Sequence, residues 1–455
     1  MDFTPLFKPK TLAVIGISLH NDRHPANVIY NKNNLRFQAE VFPVNDRGGV
    51  LQGETVYSRI SDIPQTVDLA VIVVRAEMAP NLMAECIQAG VGGAVVISGG
   101  FAETGRTDLQ DHLVCMAREA DFPFIGPNCL GIYSPPYMDT FFLPSERMVR
   151  PDRGRVALVS QSGGILVDHM TKFAEEGVGL SLAVSIGNKA QIRELDLLRY
   201  FAQDTVTDVI AFYVEGFEKS EGREFVLAAG HCPKPVIVLK TGKTPGGDRA
   251  IFSHTASIAG DYEVFSAVIS QYGVVEARDE YELVSYCEAL SCYNQSIEGK
   301  IGIITASGGH GALAVDTCLS HGLSVPTLSE QYQAELRKQV SPRLRAIASL
   351  SNPIDLTGSA VDDDFIAAAK FLSRRGEVDC VLILLLPYTP GITSDLAARL
   401  SLIYRQEGKP LIAYVPHVEK YRIFIEGFEF NHIPVAHSIE GAVHMAEAVR
   451  KCQPC

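Results

Sequence analysis

The sequence predicts an α/β protein of three doubly wound, parallel-sheet domains, Rossmann-like or flavodoxin-like in type. Short apolar runs rich in Val and Ile alternate with helical patterns along the chain, the mark of strands joined by crossover helices. At 455 residues the chain is too long for one core and about right for three domains. The third sign is a repeat: residues 156–164 (VALVSQSGG) and 301–309 (IGIITASGG) each read as a strand, a Ser-Gly-Gly turn and a helix start.

The first domain, 1–143, takes its strands from 11–16, 40–44, 68–74, 94–98 and 122–125, with a helix over 78–89. These are near-continuous apolar runs, as expected of parallel strands covered on both faces. The second domain, 154–291, has strands at 155–159, 180–184, 209–214 and 236–239, and the third, 300–455, at 300–304, 381–385 and 411–415. The Pro- and charge-bearing stretch 144–154 and the polar stretch 292–299 are the linkers.

Composition narrows the function. Hydrophobic residues at 47% and charged residues at 20% describe an ordinary globular protein. A formal charge of −13 with no basic stripe argues against nucleic-acid or anionic-membrane partners, leaving small anions that backbone N–H groups and a few cations can hold. No signal peptide precedes Met1 and no apolar run approaches membrane-spanning length, so a cytoplasmic protein is expected. Cys86, Cys115, Cys287, Cys318 and Cys380 fall in apolar patterns and are expected to be buried thiols of a reducing compartment. Cys452 and Cys455 have metal-knuckle spacing but no second pair, so no metal site is read here.

Chemistry is expected in the loop 240–260, which follows the strand 236–239 and precedes a helix starting near residue 261. It is rich in Gly, Lys, Arg, Ser and Thr and holds one imidazole, His254. A lone His in a polar loop is ordinarily just solvated; here the loop lies at a strand end, where α/β proteins place their chemistry, beside groups able to hold an anion. Ser162-Gly163-Gly164 and Ser307-Gly308-Gly309 each open a helix, whose free N–H groups and dipole favour an anion. If the two sheets face each other, both helix ends converge on one dianion, a phosphorylated His254 being the candidate. Gly16 is not followed by G-x-G-x-x-G spacing, which disfavours a nicotinamide dinucleotide at that turn.

These pieces, with LAVIGIS at 12–18, VFPVN at 41–45, SGGFAE at 98–103, GPNCLG at 126–131, SIGN at 185–188, YVEG at 213–216, SHT at 253–255 and NPIDLTG at 352–358, resemble one family in order and spacing over nearly the whole length. The chain is similar to the alpha-type subunit of nucleoside-diphosphate-forming (ADP-forming) acyl-CoA synthetases, or acetate–CoA ligases, relatives of succinyl-CoA synthetase. The resemblance implies a Rossmann-like CoA-binding domain followed by two flavodoxin-like succinyl-CoA-synthetase-type domains. It also implies that the ATP-grasp domain lies on a separate beta-type subunit, which binds most of the ATP or ADP and its Mg, in a heterotetramer.

The implied reaction interconverts a small carboxylic acid, CoA and ATP with acyl-CoA, ADP and phosphate through an acyl phosphate and a phosphohistidine. His254 would carry the phosphoryl group, and Glu215, on the YVEG motif, would hold the imidazole's other nitrogen. CoA would meet Gly16, Ser18, Arg23, Arg47, the turn Ile97-Ser98-Gly99 and Asn128. Ile165, Leu166 and Val167 are candidates for the acyl pocket, and Gly242, Gly246 and Gly247 for hinges of a swinging loop. The chain departs from the family pattern at 22–26, at Asp46 and Arg47, at Arg75 and at Ala256. The first three bear on how CoA is held. Two other classes stay open, a non-catalytic CoA-binding sensor or scaffold and an acyl or carbamoyl transferase on the same fold.

Overall fold

The computed structural model describes residues 2–218, 221–247, 249–250 and 262–452. Three mainly parallel sheets form as expected, and all share one strand order. In the first sheet, Glu40–Val44, Thr11–Ile15, Leu69–Ile72, Ala94–Val96 and Phe124–Ile125 lie side by side, all parallel. The third sheet repeats the order with Ile354–Asp355, Ile301–Thr305, Cys380–Leu384, Leu411–Tyr414 and Val435–Ala436. The middle sheet has the same core, from Val275–Ala277 through Val236–Lys240, Val209–Val214 and Arg153–Ser160 to Leu180–Ser185. In each, the first and third strands are neighbours and the chain winds outward both ways, leaving a crevice at their carboxyl ends.

The period-2 alternation of a strand explains how the first sheet is buried. Leu12, Val14, Leu69 and Val71 face one apolar cluster, while Ala13, Ile15, Ala70 and Ile72 face another with Met83 and Phe101. The first cluster runs on without a break through Ile132 and Met138 into Ala157, Val184 and Phe212 of the middle sheet. The first two sheets therefore share a core, and the chain divides into two units, Met1–Glu276 and Ala277–Cys455.

A short hairpin makes the join. Gly131–Ser134 pairs antiparallel with Leu180–Ser185, and Met138–Asp139 pairs with Gly131–Ser134, so the end of the first block adds two strands to the middle sheet. Asp139 is completely buried between Lys32 Nζ at 2.8 Å and Arg150 Nε at 2.5 Å. Asn33, on the helix Pro25–Arg36, donates to Asp139 O (2.7 Å) and accepts from Asp139 N (2.8 Å). Burial pushes the Lys32 ammonium down to about 8 even with Asp139 beside it.

The helix Glu280–Cys292, read from the sequence as the end of the middle domain, packs instead on Ile439–Lys451 within the second unit. Its N-cap Asp279 accepts from the N–H groups of Tyr281 and Glu282, both at 2.9 Å. The expectation of a buried Cys115 is corrected: this thiol is exposed. The helix Thr107–Glu119 buries only Leu113 and Ala117, and a residue two past Leu113 points to the opposite side. Cys86, Cys287, Cys318 and Cys380 are buried as expected, and burial raises each thiol's pKa. No helix among the described residues is long and apolar enough to cross a membrane.

Candidate active site

A cavity of about 650 Å³ opens in the first unit where the carboxyl ends of the first and middle sheets meet. Val73, Ile97, Ser98 and Gly99 come from the first sheet, Asn128 to Leu130 from the turn before the hairpin, and Gln161 to Gly164 from the middle sheet. The structure thus brings the Ile97-Ser98-Gly99 turn and Asn128 to the same space as Ser162, Gly163 and Gly164.

Backbone geometry fixes this meeting. Ser98 Oγ accepts from Val74 N at 3.1 Å, and Ser98 O accepts from Asn128 N at 2.9 Å. Asn128 has φ +56°, a left-handed conformation that Asn tolerates, and its Nδ2 donates to Asn188 Oδ1 at 3.2 Å. Gly187, at φ +55°, has no room for a side chain, because a Cβ would lie 2.3 Å from Asn128 O. Asn188 also donates to Glu103, which accepts from Phe101 N at 3.2 Å. Burial would raise the Glu103 carboxyl, but the hydrogen bonds from Asn188 and the Gly100 and Phe101 backbone hold it below the usual carboxylate range.

On the middle-sheet side, Ser162 is the N-cap of the helix Gly163–Glu175, its Oγ accepting from Ile165 N at 3.4 Å. Ser160 Oγ accepts from Ser162 N (3.2 Å) and donates to Ser162 O (2.7 Å), closing the turn from strand to helix. The helix start lines the cavity, so free N–H groups at a dipole's positive end face it. Of the apolar candidates, Val167 lines the cavity while Leu166 is fully buried in the core and Ile165 is absent from the lining.

Glu215 follows the strand Val209–Val214, next to Arg153–Ser160 at the middle sheet's crevice, and is 5% exposed, withdrawn from bulk water. Its backbone is held by a residue that sequence reading passed over. Gln161 Oε1 accepts from Glu215 N (2.7 Å) and Gly216 N (3.1 Å), and Gln161 Nε2 donates to Gly216 O (2.7 Å) and to Glu194. Lys189 Nζ donates to Gly216 O (2.6 Å) and pairs with Glu194 at 3.1 Å. Lys240 Nζ donates to Glu215 O at 2.8 Å. Tyr213 stays un-ionised to higher pH, first through burial and also through the Glu215 carboxylate. Beside it lies His169, ring centroids 5.8 Å apart, whose pKa burial pushes down to about 4.

The remaining expected positions lie elsewhere. Gly16, at φ +104° with no space for a Cβ 2.2 Å from Val73 O, lines a second cavity of about 320 Å³ with Asn45, Asp46 and Arg59. Ser18 is locked by a reciprocal pair, its N donating to Asn27 Oδ1 and its O accepting from Asn27 Nδ2, both at 2.8 Å. Arg23 and Arg47 are exposed and line neither cavity. The departure at 22–26 begins a helix: His24 Nδ1 accepts from Ala26 N at 3.3 Å and Pro25 takes the first helical position. His254 and Ala256 lie outside the described residues. Gly242, at φ +76°, lies two residues after the end of the strand Val236–Lys240.

In the second unit, Ser307, Gly308 and Gly309 open the helix Gly308–Ser320, with Thr305 bonded to Ser307 as Ser160 is to Ser162. Unlike Ser162, Ser307 makes no side-chain cap bond, and its Oγ lies 3.0 Å from His310 Nδ1.

Comparison with known proteins gives two family models in order, a CoA binding domain at residues 10–135 and a succinyl-CoA ligase like flavodoxin domain at 153–290. The chain is 38% identical over 387 residues to acetate–CoA ligase (ADP-forming) I of Archaeoglobus fulgidus, covering 84% of this chain but 54%, about half, of that one. It is 35% identical to the alpha subunit of acetate–CoA ligase (ADP-forming) II of Pyrococcus furiosus, over 90% of this chain and 88% of that one. The solved Ca. Korarchaeum cryptofilum dinucleotide forming acetyl-coenzyme A synthetase 1, in complex with phosphate and ADP, superposes with TM-score 0.87 at 30% identity, over 99% of this chain and 96% of that one. Matched this fully by a separate alpha subunit and by a solved synthetase, the chain belongs to the ADP-forming acyl-CoA synthetases, a family of acid–thiol ligases, as an alpha-type subunit.

Proposed function

We propose that this chain, with an ATP-grasp beta-type subunit in a cytoplasmic heterotetramer, interconverts a small carboxylic acid, CoA and ATP with acyl-CoA, ADP and phosphate. The observation that carries the reading is the cavity shared by the Ser98-Gly99 turn, Asn128 and the N-terminus of the helix Gly163–Glu175, with Glu215 fixed at the same sheet's crevice. CoA enters along Ser98 and Gly99 with its nucleotide end toward Gly16, Ser18, Arg23 and Arg47, and Val167 with Leu130 and Phe142 offers apolar walls to a small acyl group.

A nitrogen of His254 attacks the γ-phosphorus of ATP held by the partner, with its Mg, and ADP leaves. The carboxylate oxygen attacks that phosphorus, the P–N bond breaks, and an acyl phosphate forms. The CoA thiolate then attacks the acyl carbon, and phosphate leaves. Glu215 takes the N–H of the other imidazole nitrogen and stabilises the charged ring. The N–H groups at Gly163 and Gly164 hold the phosphoryl oxygens.

Incubation with γ-labelled ATP and the partner subunit tests this. Acid-labile label on the wild type and none on His254→Ala supports the ligase. No label on the wild type, with CoA still bound, points to the sensor reading, which the altered loop at 22–26 favours. Phosphorolysis of acyl-CoA without any phosphoenzyme points to the transferase.

A further inference from the structure

We infer that the second unit carries a binding site for a divalent transition-metal ion, with zinc the best match, formed by Glu282, His321 and His444. The three come from separate elements, the helix Glu280–Cys292, the C-cap of Gly308–Ser320 and the helix Ile439–Lys451. Each offers a ligand atom within 4.8 Å of the others. Two imidazoles and one carboxylate form a nitrogen-rich donor set that suits zinc and leaves a fourth position for water.

Two further features point to a cation. His444 Nδ1 is buried with no hydrogen-bond partner among the described residues, and a polar nitrogen left so is costly unless something takes its lone pair or proton. The His321 ring is held from behind by Glu447, whose Oε2 lies 2.8 Å from Nδ1. A carboxylate there favours the tautomer with its proton on Nδ1, which leaves Nε2 as the ligand, the usual support of a metal-bound imidazole. Glu447 is itself fixed by Tyr286 Oη at 3.0 Å and Lys451 Nζ at 2.8 Å.

Arg278 is the competing charge. Its Nε donates to Glu282 Oε1 at 2.6 Å, its N to Oε2 at 2.7 Å, and its Nη2 lies 3.0 Å from His321 Nδ1. Glu282 and Glu447 are already opposed by Arg278 and Lys451, so the imidazole lone pairs supply much of the affinity. Tyr286 also reaches Glu282, at 3.3 Å, and Oε1 keeps a lone pair for the ion while Arg278 remains in place. A bound ion would clip the three elements together, stabilising the folded chain by mass action.

Titration of the chelator-treated full chain with Co²⁺ is the test. The expected result is a visible d–d band saturating at one equivalent, displaced by Zn²⁺, with a rise in unfolding temperature on Zn²⁺ addition. The band is lost in His444→Gln and in His321→Asn, each shown folded by circular dichroism. Glu447→Gln weakens binding about 10- to 100-fold. His437→Asn, which removes a ring 4.3 Å from His417 at another place in the unit, leaves the band intact. Absence of a band in the wild type overturns the inference. So does a band unchanged in both histidine variants, or one lost only in His437→Asn.

Discussion

At the scale of single residues, the candidate site depends most on one amide. Gln161 spends both ends of its side chain on the loop that begins at Glu215, so an apolar residue of similar shape leaves buried N–H and C=O groups unpaired. Gln161→Met is expected to cost about 1–3 kcal/mol in denaturant unfolding. It should also lower kcat about tenfold or more, with KM for CoA little changed, because it displaces Glu215 and not the Ser98 turn. His169 gives a pH signature. Its folded pKa of about 4 lies below the unfolded value of about 6.5, so both states are neutral above that range. As pH falls through the window, the unfolded chain takes up a proton that the folded chain refuses, and stability declines by roughly 3 kcal/mol by pH 4. Urea unfolding of His169→Phe across pH 4–7 should show a flatter profile than the wild type. The sequence showed Ser162 and Glu215 because motifs carry them. Gln161 and Lys189 were not legible, since their partners near Gly216 are distant in sequence and only pairing of the strands brings them together.

Among the elements, the long strands were legible, while of the short ones Ala94–Val96 and Phe124–Ile125 were found and several others were not. Val209–Val214 and Val236–Lys240 are apolar on both faces and announce themselves. Gly131–Ser134, Met138–Asp139, Ile354–Asp355 and Val435–Ala436 are too short to show a period, and their pairing is decided by distant neighbours. The hairpin that joins the first two sheets was missed for that reason. It is tied down by Asp139, whose removal strands two cations in the interior. Asp139→Ala is expected to destabilise the first unit by about 3–5 kcal/mol in chemical unfolding, with Asp139→Asn milder because the amide oxygen still accepts.

For the molecule as a whole, three doubly wound parallel sheets followed from sequence, but their strand order and grouping did not. A linker was expected at 144–154, yet the apolar cluster and the hairpin cross that point. Cleavage in the exposed stretch around Glu146 and Arg147 should therefore leave a nicked protein that elutes as one species until denatured; separation under native conditions would refute a shared core. The hairpin has another consequence, for the newly made chain. Leu180–Ser185 would otherwise be the open border of the middle sheet, with unpaired amides able to recruit a stray strand from another molecule. The segment that seals this border leaves the ribosome before the strand it protects, so the seal is waiting when the vulnerable edge appears. A chain beginning after residue 143 would lack that guard and is the form to expect in inclusion bodies.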